Sequence, residues 1–133
     1  MKKFLITGTV ITLTAIANIT TAQQKFVVRK DLLTALVSQH VANVEVKEVT
    51  MAGGEKAPTH LHPCPVVGYV KTGKVLFQIE GEEEIILNEG DAFFEPKNKK
   101  VLHFDNALKS EPLTFIALYM KEAGEDNVRA VKN

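Results

Sequence analysis

The sequence predicts an all-β domain built as a sandwich or barrel. Short β-branched and aromatic runs recur every ~8–12 residues, with Gly-, Asn- and Asp-containing turn signals between them. No strand–helix–strand alternation of the kind that builds a parallel sheet appears. The 133 residues hold one domain with little room for a second, and 45% hydrophobic content is enough for a packed core. The balance of 16 basic and 16 acidic residues argues against a surface made to grip nucleic acid. A single cysteine, Cys64, forms no intramolecular disulfide and excludes a cysteine-based zinc cluster.

Residues 1–22 carry the three-part pattern of an export signal. Lys2 and Lys3 are followed by an apolar-rich stretch, and Thr20 and Ala22 are the small residues before a cut ahead of Gln23. The alternatives are a first strand or helix of the domain, or a membrane anchor. An anchor needs an uninterrupted apolar run of ~20 residues, which is missing. The expected location is therefore periplasmic or secreted, with no stable membrane insertion after signal removal. The 111 residues left would carry 14 basic and 16 acidic side chains, a charge of −2.

Residues 23–43 hold a short strand-like run at 26–28 and a segment, 31–41, with apolar residues at 32, 33, 36 and 37. That spacing suits a short helix capped by Asp31, or a connecting loop. The main strand-like runs fall within 44–120. Residues 44–51 alternate, Val44 and Val46 on one face and Glu45 and Lys47 on the other, and Gly53-Gly54 ends the run. A strand at 66–70 stops at Thr72-Gly73. Residues 75–79 pair with 83–87 across Glu80-Gly81-Glu82 as a hairpin. Runs at 92–95, 101–104 and 113–120 complete the set. The Glu80–Glu84 run reads as a solvated hairpin tip, Lys97, Lys99 and Lys100 as a solvated loop, and His40 as surface. Residues 121–133 form a polar tail expected to fray.

The chemistry concentrates at Gly54-Glu55-Lys56-Ala57-Pro58-Thr59-His60-Leu61-His62-Pro63. Histidines at i and i+2 on a strand point to one side, which in a barrel can be the interior. Two imidazoles there supply a pair of ligands for Zn, Fe, Ni or Cu. Gly54, five residues, His60-Leu61-His62 and, ten residues on, Gly73 form one frame; Gly90-Asp91-Ala92-Phe93-Phe94-Glu95-Pro96-Lys97-Asn98 forms a second. On these two stretches the chain resembles the cupin family over about residues 44–120. The resemblance implies a double-stranded β-helix (jelly-roll) barrel and a metal site.

The resemblance also places two ligands that this chain lacks. The family's glutamate falls at Val66 and its second-motif histidine at Val101, both apolar here. Asn98 replaces a family glycine and tolerates the left-handed conformation. His103, two residues beyond Val101, would face the same side on a regular strand, and a bulge could bring it level with the lost ligand. The candidate metal ligands are thus His60, His62 and His103, with Tyr69, Phe77 and Phe104 shaping an apolar ligand pocket. The alternative is a core or rim His103, with Val66 and Val101 filling the old cavity. Cys64 reads as a small semi-buried thiol, or as a ligand for a soft metal. Glu95 reads as a solvated carboxylate at the rim.

Two functions follow from the resemblance. One is an enzyme of dioxygenase, isomerase or lyase type acting on a small molecule through a divalent ion (Fe, Mn, Ni, Zn or Cu). The other is a metal-free barrel that binds a small ligand or serves as an assembly unit. The family also implies a homodimer.

Overall fold

The computed structural model describes residues 27–131; the export-signal reading of residues 1–22 lies outside them. Among the described residues nine strands follow in chain order: β1 (Asn43–Met51), β2 (His60–Leu61), β3 (Val66–Thr72), β4 (Lys74–Ile79), β5 (Ile85–Asn88), β6 (Ala92–Glu95), β7 (Lys100–Asn106), β8 (Leu113–Lys121) and β9 (Arg129–Ala130). They make a four-stranded sheet in the order β1-β8-β3-β6 and a five-stranded sheet in the order β5-β4-β7-β2-β9. The strand pairings are antiparallel. This is the jelly-roll barrel that the sequence implies.

Alternation decides which face is buried. Val75, Phe77 and Ile79 of β4 point inward at every second position, as do Leu113, Phe115 and Ala117 of β8. Four phenylalanines from four strands, Phe77, Phe93, Phe104 and Phe115, meet at the centre with ring centroids 4.6–6.0 Å apart. Their tilted and edge-on contacts each add ~0.5–1.5 kcal/mol beyond the area buried. Gly68 of β3 makes this cluster fit, because its missing side chain leaves room for the ring of Phe93 opposite.

Several segments differ from expectation. At 31–41 the loop alternative holds: the segment is irregular, Leu32 and Leu33 lie beside Val67, Tyr69 and Leu118 on the outer face of the four-stranded sheet, and Leu36 is 94% exposed. Val27 and Val28 are exposed and form no strand. The hairpin after β4 stops pairing at Phe77↔Ile85, which leaves a longer tip with Gly81 at φ +86°. The polar tail is not loose throughout, since β9 lies in it and adds to β2. Lys97 is not merely solvated. Its Nζ donates to Glu125 at 2.7 Å and to Gln39 at 2.8 Å, tying the segments before β1 and after β8 together. Asn98 adopts φ +61°, the conformation expected of it in place of glycine. Among the described residues no helix is long and apolar enough to cross a membrane.

Candidate metal centre

The register of the two sheets builds the site. In the four-stranded sheet, Glu45, Tyr119, Val66 and Glu95 stand in one cross-strand row. In the five-stranded sheet, Ile79, Val101, His60 and Ala130 stand in another. His62 follows β2 directly, and its ring lies edge-on to that of His60 with centroids 5.0 Å apart. Directly paired residues share a face, so Glu95 points inward with buried Val66 and comes within 3.1 Å of His62 (Oε2 to Nε2).

His60, His62 and Glu95 thus offer three ligand atoms, all within 4.8 Å of one another. The His62–Glu95 separation matches the chord between two ligands about 2.1 Å from one ion. The ring orientation fits as well. His60 Nδ1 lies 2.7 Å from the Pro58 carbonyl, and His62 Nδ1 bonds the Asn127 carbonyl. A carbonyl only accepts, so Nδ1 carries the proton in both rings and Nε2 is left as the donor to a metal. Two neutral imidazoles and one carboxylate suit a borderline divalent ion.

Electrostatics at the site follow from burial and the Glu95 charge. Burial alone would push the His62 imidazole down. The hydrogen bond and charge of Glu95, helped by the Asn127 carbonyl, outweigh it and raise the pKa above its ordinary value. Burial, reinforced by the Glu95 charge, pushes the Tyr119 hydroxyl up to about 12, so it stays protonated at neutral pH. Beside these groups lies a cavity of about 390 Å³, walled by Val49, Met51, Phe104, Phe115 and Ala117, with Tyr119 at the polar end.

The sequence-derived site residues divide. His60, His62 and Phe104 line this cavity together. Phe77 packs behind Phe104 as core and does not reach it. Tyr69 stands on the outer face of the four-stranded sheet, 38% exposed, because Val66, Gly68 and Val70 take the inward positions of β3. His103 is not brought to the histidine pair. The bulge envisaged for β7 exists, since Gln78 pairs with His103 while Ile79 pairs with Val101, leaving Leu102 as the extra residue. It reverses the parity: Val101 and Phe104 both turn inward, and His103 is 40% exposed, hydrogen-bonded to Asp105 at 3.0 Å. Cys64 is fully buried and outside the ligand cluster, its thiol pushed up by burial and by the nearby Glu125 charge. His40 is exposed, as expected.

Glu95 is the residue that sequence reasoning misplaced, as a solvated rim group; its exposure is 4%. It stands across the strand pair from the position of the missing glutamate, since Val66↔Glu95 is a direct register partner. The available signal was parity: Glu95 lies two residues from Phe93 on β6, and Phe93 is core.

His103→Ala separates the two roles considered for this histidine. Loss of the ring leaves the buried Asp105 carboxylate without that partner and is expected to cost ~1–3 kcal/mol. Thermal melting should fall, while zinc affinity, read by competition with a chromophoric chelator, should stay unchanged. A loss of zinc binding would restore His103 as a ligand.

Two facing antiparallel sheets with paired imidazoles and a carboxylate inside define a small jelly-roll barrel with a candidate metal centre. Residues 47–119 match the cupin domain, and the chain belongs to that family. No curated protein matches the chain. Among solved structures, a cupin-like protein from Thermotoga maritima is 27% identical, with TM-score 0.56 over 67% of this chain and 65% of that one. The DMSP lyase DddQ from Ruegeria pomeroyi is 22% identical, with TM-score 0.57 over 65% of this chain and 42% of that one. The polyketide cyclase RemF from Streptomyces resistomycificus is 19% identical, with TM-score 0.56 over 68% and 61%. The chain spans less than half the length of the lyase. At identities this low, the lyase and cyclase likenesses show the shared fold.

Proposed function

We propose that this cupin binds a small, mainly apolar organic molecule beside a divalent metal held by His60, His62 and Glu95. The convergence of those three ligand atoms, with both Nδ1 atoms already tied to carbonyls, carries the reading. When bound, the ion supplies Lewis-acid polarisation of a ligand oxygen. The chain itself does the rest. Phe104, Phe115 and the aliphatic wall exclude water and seat the apolar body of the ligand. Tyr119 holds its proton and can donate it in a hydrogen bond to a ligand oxygen. Lyase, isomerase and dioxygenase chemistry are the classes that fit such a site. The metal-free alternative drew its support from the apolar Val66 and Val101, and Glu95 now answers the first of them.

Elemental analysis after reconstitution with Fe, Mn, Ni, Cu and Zn tests the proposal. About one equivalent of a divalent ion supports it, and occupancy well below one for all five sinks it. The binding should also depend on pH. A metal must displace the Nε2 proton of His62, whose pKa is raised above 6.5. Zinc affinity is therefore expected to fall by ~tenfold per pH unit below that raised pKa. In metal-free protein the pair with Glu95 contributes stability that is fully present below pH 6.5 and lost as pH rises through the raised pKa. Melting temperature should accordingly drop between pH 6 and 9 without metal and not with zinc. A metal-free protein that gains stability over that range would contradict the pairing.

The proposal extends to an exported homodimer, on the pattern of residues 1–22 and on the apolar Val44 and Val46 exposed along the edge strand β1. Protein recovered outside the cytoplasm should begin at Gln23, and sedimentation should give twice the monomer mass. Retained residues 1–22, or a monomer, would remove the respective part.

A further inference from the structure

We infer that residues 126–131 are a working wall of the metal centre, and that their docking and metal binding form one coupled equilibrium. The inference rests on the metal reading above. Four contacts tie this segment to the histidines. The Asn127 carbonyl accepts the Nδ1 proton of His62. β9 pairs with the strand that carries His60, through His60↔Ala130 and Leu61↔Arg129. The Val131 amide donates to the Thr59 carbonyl at 3.2 Å, and Val128 and Ala130 close one side of the cavity.

The segment is set up to move as a unit. Just before it, Glu125 is fixed through Lys97, and the Glu122 amide donates to Glu125 at 2.8 Å. That clamp gives the chain a firm point from which to swing. Beyond it the hold is light. The β9 ladder is two residues long, and Val128 is 52% exposed. Arg129 and Asp126 are exposed and paired with each other at 3.5 Å. The Asn127 amide to Glu45, at 2.9 Å, is one further anchor. A stretch with so few buried contacts opens locally at low free-energy cost.

Opening has a chemical consequence. The carbonyl on Nδ1 fixes the His62 ring and strengthens Nε2 as a donor, so the open segment leaves a poorer metal site. Linkage then requires the reverse: a bound ion disfavours opening by the same factor.

Zinc alone serves as the probe. Amide exchange across 127–131 of the full chain should slow by ~tenfold when zinc is added, with the exposed hairpin tip at 80–84 as the unaffected control. Zinc affinity should fall ~tenfold in a chain ending at Glu125 and in Val131→Pro, which removes the amide to Thr59 but keeps the Asn127 carbonyl. Unchanged affinity in both variants, or unchanged exchange, overturns the coupling. Where the shortened chain does not fold, Val131→Pro and the exchange measurement decide. A full chain that takes up no zinc overturns the metal reading and this inference with it; zinc uptake without coupling overturns this inference alone.

Discussion

Glu95→Gln is expected to lower zinc affinity by ~100-fold or more, at or beyond the upper end of what loss of a ligand-orienting partner costs. The substitution keeps shape and volume but exchanges an anionic ligand for a neutral amide. That leaves two imidazoles, which hold a divalent ion poorly without the carboxylate charge. The fold should tolerate the change. A neutral His62 presents Nε2 as an acceptor, and the new amide can donate to it, so the buried contact is remade rather than orphaned. Melting in the absence of metal should therefore move much less than zinc affinity does. Chelator competition on the intact chain and on Glu95→Gln provides the measurement. Equal affinities would remove Glu95 from the ligand set and leave only the histidine pair.

How Glu95 escaped a linear reading is instructive. The ligand spacing of the family pointed to Val66, and along the chain Glu95 is far from it. Sheet register makes them neighbours, and register is a long-range property that no local pattern states. Where a residue's face depends only on its own strand, the sequence was a good guide. β1, β3, β4, β6, β7 and β8 fall where the apolar alternation and the turn residues put them. His60 and His62 share a side as their spacing requires. His103 shows the limit of the same rule. Parity does not carry across a bulge, and one extra residue at Leu102 inverts it, although nothing about Val101-Leu102-His103 announces a bulge.

The segments outside the barrel were less legible for a different reason. Leu32, Leu33, Leu36 and Val37 have helical spacing, but a periodic stripe forms a helix in a protein only when a complementary surface covers it. Leu32 and Leu33 lie beside Val67, Tyr69 and Leu118 on the outer sheet face, but Leu36 is almost wholly exposed, so the stripe is covered only in part. The C-terminal tail erred in the opposite direction. Its composition is polar, yet a backbone carbonyl and a two-residue ladder need no apolar side chains to join the site. Composition reports on side chains, and this part of the centre is made largely from main chain.

Gly68→Ala is expected to be the most destabilising small substitution in the barrel. An added Cβ would stand 2.0 Å from Cζ of Phe93 and 2.4–2.5 Å from its Cε atoms. Phe93 is a large ring, but it has nowhere to go: Phe77, Phe104 and Phe115 surround it at 5.9, 5.0 and 6.0 Å between centroids. Overpacking of this kind costs ~3 kcal/mol or more. For a domain of this size that lowers the melting temperature by roughly 10–20 °C. Phe93→Leu supplies the control. Alone it leaves a cavity and destabilises; combined with Gly68→Ala it makes room for the new methyl. The double variant should therefore melt above Gly68→Ala, with a coupling of ~1–3 kcal/mol between the two sites. The effect should also reach the metal centre, because Phe93 lies two residues before Glu95 on β6 and displacement of one moves the other. Zinc affinity should drop in Gly68→Ala and recover with Phe93→Leu. A Gly68→Ala protein that melts within about 2 °C of the parent, a negligible change on this scale, would mean that Phe93 does not lie across Gly68. The Val66↔Glu95 pairing set by the same two strands would then lose its support.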